Sequence, residues 1–220
     1  MPGDPNRVPV IAESLENVIN QGQNREFNAY KGTYKGIDVS VVSTGIGCPS
    51  TAIAVEELSH IGAEVFIRIG TSGSVDKSAK KGDIFIATAA VRDDGTSKQY
   101  IPIEFPAIAS HNVVSSLIKA SKDLNIDSKV GICQSKDSFF GETEPDRMPV
   151  APYLDFKWKS WQEGGVGASE MEAATLFTLS QIKRIEAGAI LAIETSDKET
   201  IKKMTEIVLE SITYMERERN

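Results

Sequence analysis

Hydrophobic positions along the 220-residue chain fall into two alternating kinds of run. Short apolar stretches at 38–43, 65–69, 83–90, 128–134 and 188–193 read as strands. Between them, 7–20, 49–61, 112–124, 170–181 and 200–217 read as helices. In the last of these, Ile201, Met204, Ile207, Val208 and Ile212 repeat at helical spacing, so one face is expected to pack on a sheet. The alternation predicts an α/β fold, a mostly parallel sheet covered by helices, in a single domain over 1–220.

Two stretches depart from the pattern. Residues 141–165 carry Pro145, Pro149, Pro152, Trp158 and Trp161 with mixed charge. They fit either a long functional loop or lid, or an ordered crossover packed by the tryptophans. At the start, the turn PGDP (2–5) has only Met1 before it, so a leading strand is expected to be missing or dispensable. Lys77, Lys80, Lys81 and the run 216–220 are expected to be solvated surface.

Composition narrows the function. Hydrophobic residues at 40% and charged residues at 25% are ordinary for a soluble globular protein. A net charge of −7 argues against general nucleic-acid affinity, so an anionic ligand would need local basic residues. No apolar run approaches the roughly 20 residues of a membrane span, and no secretory segment is visible, so a soluble, cytoplasmic protein is expected. Cys48 and Cys133 lie far apart and read as reduced, buried thiols. His60 and His111 are too few for a multi-histidine metal site.

Anion chemistry is concentrated in two places. Gly3 and Pro5 bracket a turn into a helix whose first turn holds Arg7, where unpaired N–H groups and the helix dipole suit phosphate. Arg68 closes an apolar strand and is followed by Gly70-Thr71-Ser72-Gly73, read as a turn at the strand end where α/β sheets bind ligands. A buried Arg68 paired with a structural carboxylate is the alternative. Gly45-Ile46-Gly47-Cys48-Pro49-Ser50 partly mimics a dinucleotide fingerprint, but Ser50 replaces the third glycine, and tight helix packing explains it better. Glu170 and Glu172, two apart at a helix start, could divide between a pocket and a local pair, or be ordinary N-terminal helix acids.

The blocks PGDPNR (2–7), NREF (24–27), STGIGCPSTAIAVEEL (43–58), RIGTSGS (68–74), EFPA (104–107), DSFFG (137–141) and SEMEAATLF (169–177) occur in a recognisable order. From residue 2 to residue 195 the chain resembles the nucleoside phosphorylase-I family. DDGTSKQY with EFPA, and the Trp-containing segment before SEMEAA, look most like its uridine phosphorylase branch.

This resemblance implies a three-layer α/β/α fold with a mixed, mostly parallel central sheet. Its implied reaction is phosphorolysis, giving free base and ribose 1-phosphate, with phosphate as co-substrate and no cofactor. Gly3, Arg7, Arg68 and Thr71 match phosphate ligands, and Arg25 matches an arginine lent to a neighbouring subunit. Met171 and Glu172 match ribose contacts, and Phe139 matches the aromatic on the base. Glu172 would act in catalysis through the charge of the transition state, and Arg68 by positioning phosphate for in-line approach. Glu26, Ile46 and Ser50 match positions that hold a monovalent cation in some relatives. A dimer-based hexamer is implied as well.

The base end departs from the family. Glu142 stands where the uridine branch has Gln, and Arg147 is the candidate for the following Arg. A glutamate there would repel a developing uracil anion unless Arg147 compensates it or it is protonated. Ser196-Asp197 looks like the Ser-Asp of purine phosphorylases, unless Asp197 only caps the following helix. Uridine is the expected substrate, with purine nucleosides as the alternative and a non-catalytic nucleoside binder as a further one.

Overall fold

The computed structural model describes residues 1–219, with side chains to residue 217. The chain opens with helix α1 (Arg7–Ala12) and a three-stranded antiparallel sheet of β1 (Glu16–Asn24), β2 (Phe27–Tyr34) and β3 (Ile37–Val42). There follow α2 (Cys48–His60), β4 (Val65–Ser74), β5 (Ile84–Asp93), α3 (Ser97–Tyr100), β6 (Ala107–Ile108), α4 (His111–Asp123) and β7 (Ser128–Lys136). The last part holds α5 (Phe139–Thr143), a 3₁₀ turn (Pro145–Arg147), α6 (Ala151–Glu163), β8 (Val166–Glu170), α7 (Ala173–Lys183), β9 (Glu186–Ile193) and α8 (Lys198–Arg219).

The larger sheet runs β6-β5-β7-β8-β4-β9, and β9 pairs back onto β5, so five strands close into a ring. The long ladders, β4 with β9 and β5 with β7, are parallel, as is β7 with β8. The antiparallel ladders of β5 with β9, β4 with β8 and β5 with β6 are short. The sheet is therefore mixed.

Period-2 alternation feeds two cores. Ile84, Ile86, Ile190 and Ala192 pack with α1, α4 and α8, whereas Phe85, Ala87, Leu191 and Ile193 pack with α2 and α7. Strands buried on both faces need apolar residues at every position, which is why GAILAI (188–193) shows no polar alternation. Ile201, Met204, Ile207 and Val208 of α8 are buried and Ile212 is half-buried, as their spacing predicts. Cys48 and Cys133 are buried and free. Among the described residues no helix is long and apolar enough to cross a membrane. In the run 216–220, Arg217 is exposed; residue 220 and the side chains of 218 and 219 lie outside the described residues.

Two expectations change, and the choice left open for residues 141–165 falls to the ordered crossover. The helix predicted over 7–20 stops at Ala12, and the polar segment after it forms β1. Leu15, Val18 and Ile19 mimic helical spacing, but Asn17 takes a left-handed φ of 53° and Val18 and Ile19 are exposed. Gly70-Thr71-Ser72-Gly73 is strand, because β4 changes partner there from β9 to β8. Residues 141–165 are ordered, mostly as α6, and carry the chain from β7 over to its parallel neighbour β8.

Candidate active site

Arg68 points from the face of β4 opposite Ile67 and Ile69, which belong to the core against α1 and α8. The residue is 5% exposed, and its guanidinium lies between two carboxylates. Nε donates to Glu170 Oε2 at 2.9 Å, and Nη2 pairs with Glu172 Oε2. Burial works against the Arg68 cation, but Glu172 and Glu170 outweigh it and hold its pKa above the usual value. Removing one member of such a buried group strands the others and costs about 3–5 kcal/mol. Any side chain at position 70 would disturb it, since a Cβ there would sit 2.9 Å from Arg68 Cζ and Nη2.

Both glutamates are positioned by backbone. Glu170 ends β8 and accepts from the N–H groups of Glu172 (2.8 Å) and Ala173 (3.0 Å), capping α7. Glu172 stands at the N-cap position, and its Oε1 accepts from Gly47 N at 2.6 Å. Gly47 adopts φ 91°, a left-handed region open to glycine, where the chain turns into α2. Burial is the main force raising the Glu172 pKa; Arg68 opposes it and the Glu170 charge adds to it. The two acids therefore neither divide between a pocket and a local pair nor act only as N-terminal helix acids: both hold Arg68.

One hydrogen-bonding atom remains open in this cluster. Among the described residues, Arg68 Nη1 is buried and has no partner. It faces the N-terminal turn, where a Cβ on Gly3 would lie 3.8 Å from it. Arg7 begins α1 and is half-buried; burial first, and Arg68 as well, lower its pKa against the pull of Asp4. Two cationic side chains thus converge beside a glycine turn. Thr71 is half-buried three residues beyond Arg68, and Met171 is half-buried beside Glu172. Arg25 stands exposed at the tip of the β1–β2 hairpin with φ 52°. Glu26 accepts from Ser50 Oγ at 2.7 Å, while the Ile46 side chain is exposed.

A second group of polar side chains lies beside the first, joined to it through Ser169, the neighbour of Glu170 on β8. Lys136 ends β7, is buried, and pairs with Glu142 Oε2 at 3.0 Å. Its Nζ also donates to Ser169 Oγ at 2.7 Å, and Ser169 joins Gln134 and Glu142. Lys136, Glu142 and Gln134 line a cavity of about 370 Å³ walled by Trp158 and Trp161 of α6. Phe139 is half-exposed at the start of α5 and meets Phe140 edge-on. Arg147 is exposed and pairs with Glu144, not with Glu142. Asp197 accepts from Thr195 Oγ1, Thr200 N and Thr200 Oγ1, which lower its pKa to about 2, so it caps α8 as a firmly ionised group. Lys136 was not singled out from the sequence. Its signal is its place as the C-terminal residue of a strand, directly before DSFFG.

Comparison with known proteins gives these residues a context. The chain is 46% identical over 193 residues to the uridine phosphorylase of Treponema pallidum (strain Nichols), covering 88% of this chain and 75% of that protein. It is 40% identical over 194 residues to the guanosine phosphorylase of Halorubrum lacusprofundi, covering 88% and 76%. It is 38% identical over 196 residues to the uridine phosphorylase of Escherichia coli (strain K12), covering 88% and 78%. Residues 1–217 match the phosphorylase superfamily as a whole. With that match spanning nearly all of its length, the chain belongs to the phosphorylase superfamily.

Proposed function

We propose that the chain is a pentosyltransferase that cleaves uridine with inorganic phosphate, giving uracil and ribose 1-phosphate. The observation that carries this reading is the unpartnered Arg68 Nη1 beside Gly3 and Arg7. A buried donor without a partner costs about 1–3 kcal/mol, and a phosphate oxygen relieves it. Gly3, Arg7, Arg68 and Thr71 would bind phosphate, and Arg25 would reach the site of a second copy. That makes the working unit an oligomer built from dimers, with a hexamer as the assembly proposed.

In the reaction a phosphate oxygen bonds to C1′ as the C1′–N bond breaks, and its electron pair leaves on the base. Positive charge develops on the sugar, which the phosphate anion and ionised Glu172 stabilise. Met171 and Glu172 would contact ribose, Glu172 accepting from its 2′- and 3′-hydroxyls. Phe139 and Glu142 would meet the base. Arg147 and Asp197 are engaged elsewhere, with Glu144 and with Thr195 and Thr200, so they are given no contact with the base. A carboxylate with its pKa near 2 is a poor proton donor to a purine ring, which favours uridine over the purine alternative.

Phosphate is a co-substrate here, and no metal or organic cofactor takes part. The whole chain would act as one cytoplasmic domain, its ring of strands layered between α1, α4 and α8 on one side and α2 and α7 on the other. Incubation with uridine should release uracil only when phosphate is present, with inosine and adenosine left intact. Equal release of uracil without phosphate would overturn the reading.

A further inference from the structure

Glu142 poses a charge problem at the base end. A carboxylate beside a departing base repels the negative charge that the base acquires. The compensating cation is not Arg147, which pairs with Glu144 at the surface. It is Lys136, whose side chain is 8% exposed and that of Glu142 14%.

The bonding of the pair leaves it open to a ligand. An ammonium has three N–H donors, and the bonds to Glu142 and Ser169 engage two of them. Glu142 uses Oε2 for Lys136 and Ser169. Its Oε1 lies toward Gly73 on β4, where a Cβ would come within 3.4 Å of it. One donor and one carboxylate oxygen of the pair thus remain for a ligand, and both residues line a cavity.

From this arrangement we propose that Lys136 is a catalytic and specificity-determining residue of the base subsite, acting as a pair with Glu142. Glu142 accepts from a ring N–H of the base, and Lys136 donates to the carbonyl oxygen beside it. The substrate class is nucleosides of pyrimidine oxo bases, those with a ring N–H next to a carbonyl. When the glycosidic bond breaks, its electron pair spreads from the ring nitrogen onto the carbonyl oxygens. The Lys136 contact therefore strengthens as the bond breaks, which is the condition for raising kcat. An amino base offers its ring nitrogen as a lone pair and its exocyclic group as a donor. It gathers no charge on that amino group for the ammonium to stabilise. The inference rests on the phosphorylase reading and extends it to the base.

The test is a double-mutant cycle on the full-length protein with uridine, 5-fluorouridine and cytidine, phosphate held saturating, and melting temperature followed in parallel. Lys136→Met should lower kcat for uridine about 100-fold. The loss should be smaller for 5-fluorouridine, whose base is the more acidic leaving group. Lys136→Met/Glu142→Gln removes both charges, so it should lose far less than the product of the single effects. This double variant leaves no unpaired buried carboxylate, so it also guards against a fold defect in the single one. Lys136→Arg should retain part of the activity, and wild-type protein should spare cytidine.

Unchanged kcat in Lys136→Met, equal losses for uridine and 5-fluorouridine, additive single effects, or cytidine turnover matching that of uridine would each overturn the inference. Failure of wild-type protein to release any base in the presence of phosphate would instead overturn the underlying phosphorylase reading.

Discussion

The two ends of the candidate site are built differently. At the Arg68 end, the cation sits within β4 and the carboxylates at the end of β8 and the cap of α7, and backbone N–H groups of Gly47, Glu172 and Ala173 fix the acids. At the Lys136 end, the cation is on a strand, but its carboxylate is on the five-residue helix α5, and the cavity wall is α6, which has no fully buried residue. The first end has its partners in place apart from one open donor; the second is a pair held by side chains around a cavity. Rigid backbone support suits a group common to every cycle, the phosphate and sugar. Side-chain support on a short helix suits the part where substrates differ.

The sharpest way to break this contrast is Arg68→Ala. It should cut kcat/KM for phosphorolysis by about a thousandfold and destabilise the fold by about 3–5 kcal/mol, because Glu170 and Glu172 are left buried without their cation. Steady-state kinetics and denaturant unfolding measure the two losses. Gly70→Ala tests rigidity without removing any charge. Its methyl would push on a guanidinium clamped at both sides, and KM for phosphate should rise about tenfold, read from phosphate titrations.

A subtler effect concerns pH. Catalysis needs ionised Glu172, whose pKa is raised mainly by burial, so kcat/KM should fall on the acid side above the ordinary carboxylate range of about 4.3. Stability runs the other way. A carboxylate with a raised folded-state pKa favours folding below its unfolded value, and that contribution disappears as pH rises through the folded one. A pH–rate profile flat down to the ordinary range would show that burial does not act on Glu172 in this way.

The smallest effect is expected at Asp197. Asp197→Ala should leave uridine turnover unchanged and lower the melting temperature slightly at neutral pH. Because its pKa falls from 3.8 to about 2, the difference from wild type should fade as pH drops through that window. A melting-temperature series over pH checks this, and a lost preference among nucleosides would return Asp197 to the base.

Much of the scaffold was legible because burial on both sides forces continuous apolar runs, as in β9, and because α8 keeps strict helical spacing. β1 was not legible. It is exposed along its whole length, so no core writes a period into it, and Leu15, Val18 and Ile19 imitated a helix instead. The ring closure between β5 and β9 also leaves no local trace, since it depends on strand curvature. At the site, Arg68 and the two glutamates stood out through their motifs, but their mutual pairing is a tertiary fact. Lys136 was hidden for a different reason: a lysine at a strand end usually reaches solvent, and only the fold of α5 and α6 over it takes it inside.

The alternation along β4 has a consequence for folding fidelity. Ile67 and Ile69 face the core of α1 and α8, and Arg68 faces the glutamates. Slipping the strand by one residue against β9 would thrust the guanidinium among Val208 and Leu209 and press isoleucine against two carboxylates. A charge misplaced in that way costs several kcal/mol, a large share of the roughly 5–15 kcal/mol that holds a domain together. The residue that prepares the strand for chemistry therefore also acts as its proofreader, rejecting a misregistered chain before any ligand is present.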